Sequence, residues 1–136
     1  MLQSPVSPFD AVIRRTIERY QATFNSGDRD GWLALFAEDG VLEDPVGSSG
    51  HRGGAALAGF WDEIHRDTGA AGARKVRMVQ GPAVCGTEAA WAFELRIPLG
   101  ERTVVVEIID QAAFTEDGRI RQLRAFWNES TVRIEA

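Results

Sequence analysis

Three polar side chains stand where the surrounding pattern calls for apolar ones. Asp110 lies within Val104-Val105-Val106-Glu107-Ile108-Ile109-Asp110-Gln111-Ala112-Ala113-Phe114. Period-two alternation places it on one face with Val104, Val106, Ile108, Ala112 and Phe114. An ionised carboxylate among such residues is costly, so burial favours the protonated acid, a hydrogen-bond donor in an apolar cavity. The competing reading shifts the register and turns Asp110 to solvent or to a neighbouring-strand arginine such as Arg96. Asp44 ends the run Val41-Leu42-Glu43-Asp44 before Pro45 and shares a side with Leu42, although an Asp-Pro pair is also a common turn starter. Tyr20, the chain's one tyrosine, falls on a stripe with Ile13, Ile17 and Phe24, where its hydroxyl needs a partner or a route to solvent. Taken singly, each has a structural explanation. Taken jointly, a phenol donor, a neutral acid and an ionised acid around one apolar cavity combine a proton shuttle with an oxyanion hole.

Other residues carry weaker signals. His51 lies in the glycine-rich loop Ser48 to Gly54 and His65 near the end of a helical segment, which reads as surface for both. Trp61, Trp91, Phe93 and Trp127 have the spacing of core packing and could also line an apolar pocket. Cys85, beside Gly86, is a small residue before a turn. One cysteine and two histidines offer neither a disulfide nor a structural zinc site, and no glycine motif has the strand-to-helix setting of a phosphate loop.

The elements that must position these groups divide into helices first and strands later. Ser7, Pro8 and Asp10 have the pattern of N-cap, N1 and N3 of a helix that runs to Asn25-Ser26-Gly27. Asp28 can cap a second helix carrying Trp32, Leu35 and Phe36, which Gly40 stops. A short strand, Val41 to Asp44, and a loop from Val46 to Gly54 precede a third helix, Ala55 to Arg66, with Leu57, Phe60, Trp61 and Ile64 on one face. From Lys75 the period becomes two. Lys75 to Val84, Glu88 to Leu99, Arg102 to Phe114 and Arg119 to Val132 are separated by Gly86-Thr87, Gly100-Glu101 and Asp117-Gly118, the marks of an antiparallel meander. The expected fold class is α+β: three N-terminal helices packed on a curved, mainly antiparallel sheet, a cone whose open end can hold an apolar ligand.

The 136 residues suit a single domain, 1–136, with residues 1–8 a flexible N-terminal segment. Fifteen basic against twenty acidic residues, a net charge of -5 and scattered arginines disfavour a nucleic-acid or anionic-membrane partner. No apolar run approaches the roughly 20 residues of a membrane helix, and MLQSPVSP lacks the features of a leader, so a cytoplasmic location is expected.

The combination resembles the bacterial Δ5-3-ketosteroid isomerases, within the superfamily of nuclear transport factor 2 and the SnoaL-type polyketide cyclases. It runs from about Ile17 to Ile134 and rests on Glu18-Arg19-Tyr20, Val41 to Gly47, Lys75-Val76-Arg77, Gly81-Pro82, Ile108-Ile109-Asp110, Asp117 to Ile120 and Ala125-Phe126-Trp127. The resemblance implies that Asp44 moves a proton from C4 to C6 of a Δ5-3-ketosteroid while Tyr20 and Asp110 hydrogen-bond the C3 oxygen of the dienolate. It also implies that Phe93 and Trp127 line the pocket, that no metal or organic cofactor takes part, and that a homodimer forms through the sheet's outer face. The chain departs from the family at three points. Trp61 replaces the phenol that bonds the active-site tyrosine, Phe36 replaces another tyrosine of that network, and Gly54 replaces an arginine before the third helix. Tyr20 is then expected to be a more isolated donor, with Phe36 and Trp61 beside the substrate site. The same cone could instead cyclise a polyketide, or bind an apolar ligand without catalysis. An epoxide hydrolase would need an Asp-Arg-Asp set, which sequence spacing does not assemble.

Overall fold

The computed structural model describes residues 3–66 and 74–136, so the first two residues of the segment 1–8 lie outside the described residues. The first helix, α1 (Asp10–Ser26), buries Ile13, Ile17, Tyr20 and Phe24, the stripe that 3.6-residue spacing selects. It starts later than the Ser7 cap suggests, because Ser7 is used in the preceding turn. Its Oγ accepts from the Phe9 N–H at 3.0 Å and donates to the Gly86 carbonyl at 2.6 Å, while Asp10 N–H bonds its carbonyl. Gly27 ends the helix in the left-handed region at φ 73°, donating its N–H to the Thr23 carbonyl. Asp28 then caps α2 (Arg29–Leu33), accepting from Gly31 N–H at 2.9 Å.

The second helix is shorter than expected, and Phe36 is not on it. Helical spacing continues through Leu35 and Phe36, but pairing with a distant strand prevails. Ile120 N–H bonds the Leu35 carbonyl, and Phe36 opens β1 (Phe36–Glu43) opposite Ile120. Gly40 is therefore not a helix stop; it sits in the irregular stretch of β1, where a Cβ would come within 2.8 Å of the Ile120 carbonyl. The loop after Pro45 also holds a two-residue strand, β2 (His51–Arg52), paired with Val41 and Leu42. The third helix, α3, spans Gly53–Ile64, two residues earlier at each end than expected.

The later strands are β3 (Lys75–Cys85), β4 (Glu88–Leu99), β5 (Arg102–Phe114) and β6 (Ile120–Phe126). The expected final strand is split. Asn128 and Thr131 form a reciprocal cap around a short 3-10 turn, after which β7 (Val132–Glu135) pairs with Thr103–Val106 of β5. In the sheet order β2-β1-β6-β5-β4-β3, the β3-β4-β5-β6 run is an antiparallel meander, while β1 and β6 pair in parallel. Register shifts within β1, β3 and the β5–β6 pair bend the sheet so that it curls about the helices. Edge strand β3 is held by α1. The Asn25 amide donates to the Val76 carbonyl at 2.9 Å and accepts from Val76 N–H at 2.8 Å, and the Gln21 amide oxygen accepts from Met78 N–H.

Candidate active site

Strand register brings two carboxyl groups to one place. The antiparallel β5–β6 pair sets Asp110 directly opposite Ala125, and the parallel β1–β6 pair sets Glu43 beside Arg124, so the next residue, Asp44, lies beside Ala125. Two strand spacings, about 10 Å between backbones, separate the two carboxyl-bearing chains, with only a methyl group between them. Alternation then sorts the side chains. Leu42 and Asp44 point into the cone, while Glu43 faces outward and pairs with Arg124 at 3.1 Å. On β6, Leu123 and Ala125 line the same cavity, and the alternation carries on past the strand end to Trp127.

Tyr20, Asp44, Asp110 and Trp127 thus border one cavity whose walls are otherwise mainly apolar, including Val106, Ile108, Leu95, Phe60 and Ile97, with Arg74 the one cation in the lining among the described residues. Asp110 is 4% exposed. Burial pushes its carboxyl well above the usual carboxylate range, and the nearby negative charge of Asp44 pushes it further the same way. The alternative pairing with Arg96 does not occur, because Arg96 bonds Glu94 at 2.8 Å and Glu135 at 2.6 Å. Burial first, and then the Asp110 and Asp44 carboxyl groups wherever they ionise, push the Tyr20 phenol well above its usual range, with Trp32 acting the other way. Asp44 is half-buried, and burial raises its pKa above the ordinary carboxylate range; the Trp127 Nε1–H, which donates to Oδ1 at 2.6 Å, and His51 oppose that rise without cancelling it. The cavity therefore holds two groups pushed well up by burial and a third whose rise is partly offset.

Three further candidates do not border the cavity. Phe93 stacks on the Tyr20 ring at 6.0 Å, Phe36 packs on Trp32 at 4.8 Å, and Trp61 lies between Trp32 and His65, at 5.3 and 3.7 Å. They pack behind the residues that line the cavity. Phe36 lies at the start of β1 rather than on a helix, and Trp61, buried on α3, packs against other rings instead of opening to the cavity. Both histidines are more engaged than a surface reading allows. His51 pairs with Leu42 across β2 and β1, which brings its charge to Asp44, and its ring packs on Phe60 at 5.1 Å. His65 places Nδ1 3.0 Å from the Trp61 carbonyl and Nε2 3.3 Å from the Phe24 carbonyl, joining α3 to α1. Among the described residues, no cluster of three or more His, Cys, Asp or Glu could hold a metal, and no helix is long and apolar enough to cross a membrane.

The sequence pattern of the SnoaL-like domain matches residues 17–123. The chain belongs to the SnoaL-like family. One relative of this SnoaL-like chain, the steroid delta-isomerase of Nocardioides simplex, is 36% identical over 118 residues, covering 86% of this chain and 90% of its own. A second, the epoxide hydrolase LasB of Streptomyces lasalocidi, is 32% identical over 126 residues, 88% of this chain but 43% of that longer protein. Among solved structures, RV0760c from Mycobacterium tuberculosis superposes with a TM-score of 0.76 at 26% identity, covering 97% of this SnoaL-like chain and 99% of that one. The cone of three helices on a curled sheet is thus the nuclear transport factor 2-like fold that the sequence led one to expect.

Proposed function

We propose that this protein isomerises Δ5-3-ketosteroids to Δ4-3-ketosteroids. The observation that carries this reading is the convergence of Tyr20, Asp44 and Asp110 on one cavity, where burial pushes Tyr20 and Asp110 well above their usual ranges while Trp127 and His51 partly offset the rise at Asp44. A ketosteroid enters with its C3 oxygen between Tyr20 and Asp110. Asp44 removes a proton from C4, negative charge moves onto the C3 oxygen as the dienolate forms, and the two donors stabilise it within mainly apolar walls. Asp44 then returns its proton to C6, which leaves the double bond conjugated with the ketone and every group of the protein as it began. The similarity to the Nocardioides enzyme supports the same reading. No cofactor is needed to balance these steps.

The LasB relative favours a second reading on the same groups. Asp110 as the acid would protonate an epoxide oxygen while Asp44 as the base deprotonates the attacking hydroxyl. Incubation with 5-androstene-3,17-dione separates the two, because the conjugated isomer absorbs in the ultraviolet where the substrate does not. Growth of that absorbance, abolished by product-like phenolic steroids, is expected. Its absence from folded protein that opens a hydroxy-epoxide would transfer the assignment to the second reading. The homodimer implied by the isomerase resemblance would use the outer sheet face, where Val79, Ile109 and Phe126 are exposed.

A further inference from the structure

Trp32 is fully buried, and among the described residues its Nε1–H has no hydrogen-bond acceptor. Leaving a buried donor unpaired is unfavourable, so an indole here, where a plain aromatic ring would fill the space, calls for a reason. Its surroundings supply few partners. Phe36, Trp61 and Phe60 pack against it with ring centroids 4.8, 5.3 and 6.2 Å away, and none of these side chains offers an oxygen. Tyr20 does. The Trp32 and Tyr20 rings lie 5.9 Å apart with their planes inclined at 55°. The indole N–H falls outside good hydrogen-bonding geometry, yet it is near enough to the phenol to work against the burial and the two carboxyl groups that keep Tyr20 neutral.

We propose that Trp32 is a positioning residue for Tyr20, its Nε1–H donating to the phenol oxygen when the phenol in turn donates to a bound oxyanion. A phenol that gives up proton density to an anion becomes a stronger acceptor, so the Trp32 bond tightens only when charge has developed on the ligand. A donor that sits beside its acceptor without bonding it can close onto it when charge develops there. A donor engaged in this way lowers the barrier more than it aids ground-state binding. Tyr20 is then not the isolated donor that Trp61 and Phe36 lead one to expect; the support comes from α2. The effect on turnover rests on the isomerase reading, whereas the coupling of Trp32 to Tyr20 does not.

The test replaces Trp32 with β-(3-benzothienyl)alanine, which puts sulfur in place of the N–H at almost unchanged shape. Trp32→Phe serves as a second variant with the same lost donor and a smaller ring. Because Tyr20 is the only tyrosine, fluorotyrosine incorporated throughout the chain labels that position alone and brings its ionisation into an accessible pH range. The fluorine resonance should titrate at higher pH in the isostere than in the parent protein. Affinity for a phenolic steroid should fall about tenfold, the worth of one lost hydrogen bond to a charged group, and kcat should fall with KM little changed. A titration that does not move in a folded isostere overturns the proposal. If the titration moves while no variant, nor the parent, isomerises a ketosteroid, the coupling stands and the isomerase reading is the one that fails.

Discussion

Asp110 makes the stability of this protein fall as the pH rises, and Asp110→Asn should remove that fall. The side chain is 4% exposed against Val106 and Ile108, and burial is the first cause that raises its pKa above the ordinary 3.8, with the charge of Asp44 second. The sign follows from linkage. The folded pKa lies above the unfolded one, so the stabilisation is complete below 3.8 and is lost as the pH climbs to the folded value, because only the unfolded chain releases the proton in that window. Each pH unit within it is worth about 1.4 kcal/mol, a tenfold change in the folded-to-unfolded ratio. Asn has nearly the same shape and does not titrate, so the difference in unfolding free energy between the variant and the parent should grow with that slope from about pH 4 and then level off. Adding Asp44→Asn to both proteins should bring the plateau to lower pH, since it removes the second cause. Urea unfolding at fixed protein concentration, followed by tryptophan fluorescence across this range, reads the slope directly. A difference that is flat in pH, or that slopes the other way, would show Asp110 ionised in the fold and would remove the neutral donor from the site.

Trp127→Phe deletes the 2.6 Å hydrogen bond that favours the Asp44 carboxylate, so the acid limb of kcat/KM should move to higher pH; an unmoved limb would mean that Asp44 is not the group seen in the profile. Gly118→Ala forces a side chain onto a residue at φ 89° and sets its Cβ 2.7 Å from Val12 Cγ2, where the Thr16 hydroxyl already bonds the Gly118 carbonyl. A loss of about 1–3 kcal/mol is expected in urea unfolding, and a neutral result would contradict the close approach. Ile109→Arg on the exposed outer face should shift a homodimer to monomer in sedimentation, with the fold unchanged; a dimer that persists would place the interface elsewhere.

The convergence of Tyr20, Asp44 and Asp110 was legible because each faces inward by the period of its own element, and period is what a sequence displays. The limits of β4 and β5 are equally plain, since each is a long run rich in β-branched and aromatic residues closed at both ends by a glycine turn. What escaped was set by contacts between distant segments. Phe36 continues a helical spacing, and only its partner Ile120 shows that it starts a strand. The parallel seam between β1 and β6 joins segments some eighty residues apart, and no local signal announces it. His51 reads as part of a polar loop until its pairing with Leu42 carries it to Asp44. Arg74 and Trp32 left no trace either: one immediately precedes a strand, the other looks like any core aromatic, and their importance depends on what the helices bring near them.

In the proposed isomerisation Asp44 carries one proton between two carbons of a ketosteroid. Turnover of 5-androstene-3,17-dione labelled with deuterium at C4, with the product examined by mass spectrometry and proton resonance, follows that proton. The parent protein should yield the conjugated isomer with deuterium at C6, and a folded Asp44→Asn variant should turn over about 10²- to 10⁴-fold more slowly. An Asp44→Asn variant that forms the conjugated ketone at the parent rate, or a folded parent protein that forms none, would show that Asp44 does not shuttle this proton.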